Sequence, residues 1–428
     1  MLTNIKQTGK KPLVKNSAKL LSANVIAQIV GFLLYPLLTR MYTPDDFGLL
    51  NLFLSIGGVL VLFATGAYYS AVVLPQDTLQ GVACFHVGMC CNVIVTALCL
   101  VSACFSSSIA SLFNVPALAH YYYLLPFYVF LSALWQLLNY WYVREKQFTL
   151  VSAYQVGQST LGAGLKLSFG INTAWQGGLL YAVVLSPLLS LLAVIARSLG
   201  ALRPLFKVRY AQCKEMAHQY RKFPQFTLPK LLVNYLGGNL PVLLLAPFFD
   251  LSYIGYLGMA LALSFTPISI VTKSFYQVLF SYVTNRVHHN QTILGYYRQY
   301  LGVAVLVIGV CFGALYFVLP SLISWLLGDS WITVAHYIQY LLPWLAVISI
   351  TNTFDFVLDV FGKQDKQFYF ELLLFVLRIL VLVWAIWQHQ FIIAVVGFSA
   401  VSFLLRLFYG GYQYYLIKQY EQQRCKSI

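Results

Sequence analysis

The sequence predicts an all-α polytopic membrane protein of about twelve transmembrane helices, arranged as two pseudo-symmetric six-helix lobes. Three observations predict it. Apolar stretches recur about twelve times between short polar breaks, each near the ~20 helical residues that cross a ~30 Å hydrocarbon core at 1.5 Å per residue. The 428 residues are 60% hydrophobic and only 9% charged, too few charges to cover a soluble fold of this size. Lys and Arg concentrate in every second polar break.

The stretches run 20–38, 47–73, 82–105, 120–143, 150–170, 177–199, 228–248, 252–281, 299–320, 334–358, 370–388 and 391–417. The first holds no charge and follows a lysine-bearing arm, as a signal peptide would. Its apolar run is too long for an h-region and lacks a small-residue cleavage site, so it reads as a retained helix. The second opens on Thr43-Pro44-Asp45-Asp46. That is a capping hydroxyl, Pro at the first helical position, then acids at the positive end of the helix dipole. The third carries Cys84, Cys90, Cys91, Cys99 and Cys104, which pack as small hydrophobes. The eight cysteines show no metal-binding spacing. The fourth opens on Tyr121-Tyr122-Tyr123, and Trp325 and Trp331 flank the ninth, as rings do at membrane interfaces. Prolines inside stretches (Pro36, Pro126, Pro187, Pro241, Pro267, Pro343) free backbone carbonyls and permit bending.

The N-terminal arm, the breaks after stretches four, six, eight and ten, and the C-terminal tail, counted with Lys230 at the start of stretch seven, hold 21 of the 27 basic residues. The intervening breaks hold only Arg40. Basic loops stay in the cytoplasm, so both termini are expected there, in a bacterial inner membrane. The net charge of +15 is thereby explained by topology, and nucleic-acid binding is not expected. Asn290-Gln291-Thr292 is a glycosylation sequon on the cytoplasmic side and reads as chance.

The longest polar interval, 200–227, divides the chain into lobes 1–226 and 227–428, the first ending in the basic cytoplasmic linker. An internal repeat supports the division. "LLTRMYTPDDFGLLNL" from Leu37 and "LLAPFFDLSYIGYLGM" from Leu244 stand 207 residues apart. Each ends a helix, turns, and places a glycine (Gly48, Gly255) early in the next, with Asp250 at the second cap position. Duplicated bundles of this kind are a hallmark of secondary transporters.

"LLTRMYTPDDFGLLNLFLSIGGVL" resembles the first-to-second-helix signature of polysaccharide-export flippases of the Wzx type. These belong to the superfamily that also contains multidrug antiporters and the lipid II flippase. "IGYLGMALALSFTPISIVTKSFYQVLFSYV" resembles the matching stretch of their second half, and "LNYWYVREKQFTLVSAYQV" is similar to their Trp-x-x-Arg-x-x-x-Phe loop. Where the family often has Arg soon after helix two, this chain has Pro75-Gln76-Asp77. The resemblance implies transfer of an undecaprenyl-pyrophosphate-linked glycan from the cytoplasmic to the periplasmic leaflet, for O-antigen, capsule or exopolysaccharide assembly. It implies the bilayer and polysaccharide assembly proteins as partners and no cofactor, with the coupling ion, H+ or Na+, left open.

Candidate site residues are charges inside the membrane, where each costs several kcal/mol and therefore faces a cavity or a partner. Lys166 lies about 6 Å from the outer end of its stretch, within snorkelling reach. Lys273, Arg378 and Arg406 lie roughly 12–16 Å from the cytoplasmic ends of theirs. Three deep cations suit a dianionic pyrophosphate, which Arg also grips through paired hydrogen bonds. Arg378 stands between two readings, a cavity charge and a structural pair with Asp355, which hairpin depth places alongside it. Lys273 and Arg406 have no evident acidic partner and read as cavity charges. Arg40 is a periplasmic gate residue or an interfacial anchor. Asp355 and Asp359 are coupling-proton candidates or salt-bridge partners, Asp359 for Lys363 at i,i+4.

Two other functions compete. A multidrug or cation antiporter of the same fold predicts acidic residues deep in the first six helices, and none is there. A polysaccharide polymerase needs a large periplasmic loop, yet the outer breaks are short and no catalytic motif is present, so no enzyme is expected.

Overall fold

The computed structural model describes residues 25, 28–171, 177–207, 210–289 and 291–427. The start of the first stretch, the N-terminal lysines, Arg209 and Asn290 lie outside the described residues. Twelve principal helices occupy the twelve predicted stretches, and there is no strand among the described residues. They are α1 (Gln28–Leu38), α2 (Pro44–Thr65), α3 (Thr78–Ala103), α4 (Leu124–Arg144), α5 (Phe148–Ile171) and α6 (Gly178–Leu202). Then follow α7 (Leu228–Leu245), α8 (Leu251–His288), α9 (Leu294–Leu327), α10 (Ile332–Thr353), α11 (Gln364–Trp387) and α12 (Phe391–Ser427). Nine helical segments among the described residues are long and apolar enough to cross a membrane. The two long helices outside that set, α4 and α5, are interrupted by polar positions such as Gln136, Gln155 and Lys166.

The start of α2 forms as its residues dictate. The Thr43 hydroxyl accepts from the Asp46 amide at 3.3 Å, and the Asp46 carboxylate accepts from the Thr43 amide at 2.9 Å. This reciprocal box satisfies donors that a helix start leaves open. The second repeat keeps only the position: Asp250 caps α8 in an extended conformation, with no side-chain cap bond.

By contact the chain forms two compact units, Met1–Pro247 and Phe248–Ile428. α7, which the repeat groups with the second lobe, therefore packs in the first unit. The Tyr235 hydroxyl donates to the Leu54 carbonyl at 3.0 Å, and the Ser55 hydroxyl to Asn239 at 3.3 Å. The close approach needs Gly58, where an added Cβ would stand 1.9 Å from the Tyr235 oxygen.

One end of the first unit is locked by Arg144. Its guanidinium donates to the carbonyls of Val72 (2.9 Å), Pro75 (2.7 Å), Gln76 (3.4 Å) and Asp77 (2.8 Å). The arginine of the Trp-x-x-Arg motif thus clamps the turn before α3, the turn in which this chain lacks the family's arginine. Trp141 of the same motif donates to the Ala201 carbonyl at 3.1 Å, and Tyr68 to that of Ala217 at 3.2 Å. Three breaks from one side of the predicted topology meet here, as an even number of crossings between them requires. At the other end Tyr42 donates to the Lys166 carbonyl at 2.7 Å, and the Tyr123 and Tyr181 hydroxyls lie 2.7 Å apart.

Gly81 gives the clamp its room, since an added Cβ would stand 2.6 Å from the Arg144 guanidinium carbon. Gly81→Ala and Arg144→Lys are each expected to lower stability by about 2–3 kcal/mol, because charge-assisted bonds to carbonyls are lost together. Thermal unfolding of the purified protein in nanodiscs reads this, and an unchanged midpoint for both variants refutes it.

The second unit also has two ends. At one end Tyr256 donates to the Ser330 carbonyl at 3.1 Å, and Phe391 meets Phe249 and Tyr253. At the other end the Ile293 amide donates to Glu421 at 3.2 Å. Gly397 lets α11 and α12 close on each other, since an added Cβ would stand 2.4 Å from Val381.

Candidate functional site

In the second unit α8 and the end of α10 border a cleft of about 300 Å³. Ser269, Thr272, Lys273 and Tyr276 face it from α8, and Asn352 and Asp355 from beyond. The Ser269 and Thr272 hydroxyls donate back to the carbonyls of Thr266 (3.0 Å) and Ile268 (2.9 Å), so they present lone pairs to the cleft. Tyr276 donates to Asp359 at 3.2 Å. The free donors are then the Lys273 ammonium and the Asn352 amide. Lys273 is exposed, and among the described residues no carboxylate stands within ion-pair distance of it.

α8 runs unbroken from Leu251 to His288, so Lys273 stands ~33 Å along its axis from Leu251 and ~23 Å before its other end.

Arg378 is buried, and of its two readings the pair with Asp355 does not form. Its side chain is enclosed, at 7% exposure. Its Nε donates to Ser402 at 2.9 Å, and its guanidinium lies over the rings of Phe398 (4.3 Å) and Trp344 (5.1 Å). Asp355, proposed as its partner, instead accepts from Tyr409 at 2.8 Å and from Gln413 at 3.2 Å. The break between α10 and the short helix Phe356–Val360 presents Asp355 to α12.

Arg406 is corrected more sharply. It was expected to lack an acidic partner, yet Glu371 holds it at 2.6 Å, with the two side chains 11% and 41% exposed. The partner is readable in retrospect from hairpin depth about His389, which Glu371 precedes by ~18 residues and Arg406 follows by ~17. The same arithmetic brings Ser402 beside Arg378. Arg406 also lies over the Tyr409 ring at 5.4 Å, so Glu371, Arg406, Tyr409 and Asp355 form one connected polar chain reaching the cleft. Asp359 is exposed and bonded to Tyr276, where pairing with Lys363 was the expectation.

The first unit holds the other two candidates. Arg40 is exposed in the turn between α1 and α2. Lys166 is half-buried near the end of α5, its carbonyl held by Tyr42. The five candidates of the second unit are not one cluster. Lys273 and Asp355 share the cleft, Arg406 reaches it through Tyr409, and Arg378 is sealed off.

Comparison with known proteins then places the chain. A family model described as polysaccharide biosynthesis protein matches residues 37–336. No curated protein sequence matches. Among solved structures, the lipid II flippase MurJ in an inward closed conformation is similar, with a TM-score of 0.70 and 13% identity, over 96% of this chain and 91% of that one. An inward-facing multidrug resistance MATE family transporter of the MOP superfamily has a TM-score of 0.67 and 12% identity, over 94% and 96%. The eukaryotic MATE transporter AtDTX14 has a TM-score of 0.61 and 13% identity, over 98% and 99%. At such identities the structures establish the fold, and the family model establishes the family. The chain is a multi-pass membrane protein of the polysaccharide biosynthesis protein family, built on the fold of the MOP superfamily transporters.

Proposed function

We propose that the protein is a flippase. It carries an undecaprenyl-pyrophosphate-linked oligosaccharide from the cytoplasmic to the periplasmic leaflet of the inner membrane, for O-antigen, capsule or exopolysaccharide assembly. The observation that carries this reading is Lys273: an ammonium with no carboxylate within ion-pair distance among the described residues, lining a cleft together with Asn352 and Asp355. The pyrophosphate of a lipid-linked substrate enters that cleft. Lys273 supplies three donors to it, and the Asn352 amide supplies more. A cation bordering low-dielectric walls concentrates anions, so the cleft loads the head group while the tail stays in lipid. Alternating access then moves the head without making or breaking a covalent bond. Asp355 and Asp359 are the candidates for a coupling H+ or Na+, and both termini face the cytoplasm.

The test is the sidedness of the lipid-linked sugar in a deletion strain, read by lectin or glycosidase access in spheroplasts. The expected result is an assembled sugar trapped on the cytoplasmic leaflet. Sugar still reaching the outside, with no redundant flippase, overturns the reading. Loss of the lipid-linked sugar altogether points to an enzyme, and unchanged glycan with altered drug sensitivity points to the antiporter.

A further inference from the structure

α8 and α9 are both longer than a bilayer is thick. α8 has 38 residues and α9 has 34, so they run ~57 and ~51 Å, against ~40–45 Å for a bilayer including its head groups. They are joined at one end through Tyr256 and Ser330, so the surplus length projects at the other. On that projection Tyr282, Tyr296 and Tyr300 stand 37%, 40% and 46% exposed around a common crevice. Tyr282 and Tyr296 meet edge to face at 5.8 Å. Arg286 lies 4.9 Å from one ring centroid and 4.0 Å from the other, and donates to the Thr292 carbonyl at 3.1 Å. The guanidinium holds the two rings apart at a fixed angle. The crevice itself has only about 20 Å³, too little for any ligand larger than water, so what the rings offer is their outer faces.

We infer that these tyrosines form a carbohydrate-stacking platform for the glycan of the lipid-linked substrate before it enters the cleft. The inference rests on the flippase reading above. Interface anchoring, the usual role of membrane tyrosines, works at head-group level. Tyr282 stands ~47 Å along α8 from Leu251, past the ~40–45 Å of a bilayer with its head groups, and ~14 Å beyond Lys273. With the pyrophosphate at Lys273, the rings meet sugars a few residues from the lipid. The apolar face of a pyranose covers a tyrosine ring, while the phenolic hydroxyl reaches the sugar's own hydroxyls, so one ring serves both halves of an amphipathic ligand.

The probe is the water-soluble oligosaccharide released by mild acid from the lipid-linked sugar that accumulates in the deletion strain. It is titrated against the full chain in nanodiscs by calorimetry. The wild type is expected to bind, and Tyr282→Ala/Tyr296→Ala/Tyr300→Ala to weaken binding about tenfold or more. Tyr296→Trp with Tyr300→Trp, which keeps flat rings, is expected to hold binding near wild type. Equal binding by the triple-alanine and wild-type proteins, or no binding by the wild type, overturns the platform. The sidedness experiment is independent. A deletion that traps the sugar while tyrosine-dependent binding is absent defeats the platform alone, and a deletion that leaves sidedness normal defeats the flippase reading.

Discussion

Lys273→Ala is expected to abolish surface glycan while the protein is made and inserted at its usual level. The ammonium has no carboxylate to leave behind among the described residues, so its removal orphans no charge and folding is spared. On the proposed flippase function, what it removes is a charge-assisted contact to the pyrophosphate, about 1.5–3 kcal/mol. That corresponds to a ten- to hundredfold loss of head-group affinity. Lys273→Arg keeps the charge and retains partial export, and Lys273→Met behaves as the alanine variant. The measurements are surface glycan by immunoblot and protein level in membranes. Normal glycan in the alanine variant removes Lys273 from the site.

Arg406 and Glu371 behave oppositely, as a pair whose single variants fail by loss of stability. Glu371→Ala leaves the Arg406 guanidinium without its 2.6 Å partner in a side chain only 11% exposed. Breaking a fully buried pair costs about 3–5 kcal/mol. Glu371 is 41% exposed, so solvent screens part of that, and about 1–3 kcal/mol is expected. Replacing both, as Arg406→Met with Glu371→Leu, restores most of the stability because no charge is left unpaired. A double-mutant cycle on thermal midpoints measures the coupling. Additive effects of the single variants show that the pair is energetically idle. Glycan lost by the stable double variant, however, returns Arg406 to a transport role.

Hairpin depth decides which of the individual charges are legible in the chain. Across the turn at 361–369 it pairs Asp355 with Arg378, but the break after Thr353 turns Asp355 toward Tyr409 and Gln413 instead. Applied to the turn at His389, the same rule finds both Glu371 for Arg406 and Ser402 for Arg378. Depth restricts which residues can meet. The direction each side chain faces depends on helix rotation, which a chain apolar on nearly every face does not reveal. The Trp-x-x-Arg motif shows the complementary case. Its arginine was visible as a signature, but its acceptors are four backbone carbonyls of a distant turn, and carbonyls have no sequence.

The amino-acid sequence by itself determined the all-α membrane fold, the twelve helices, the duplication and the family. Each rests on a pattern local in the chain: apolar length, basic breaks, the Thr43 cap and its displaced copy. Tertiary structure decided where α7 packs and which cations are sealed, paired or open. Those outcomes follow from contacts between residues far apart in sequence. Tyr235 against Gly58 places α7, and Glu371 neutralises Arg406 while Lys273 stands without a carboxylate beside a shared cleft. A charge costs the same to bury wherever it is written in the chain, and only its neighbours in space determine what offsets that cost.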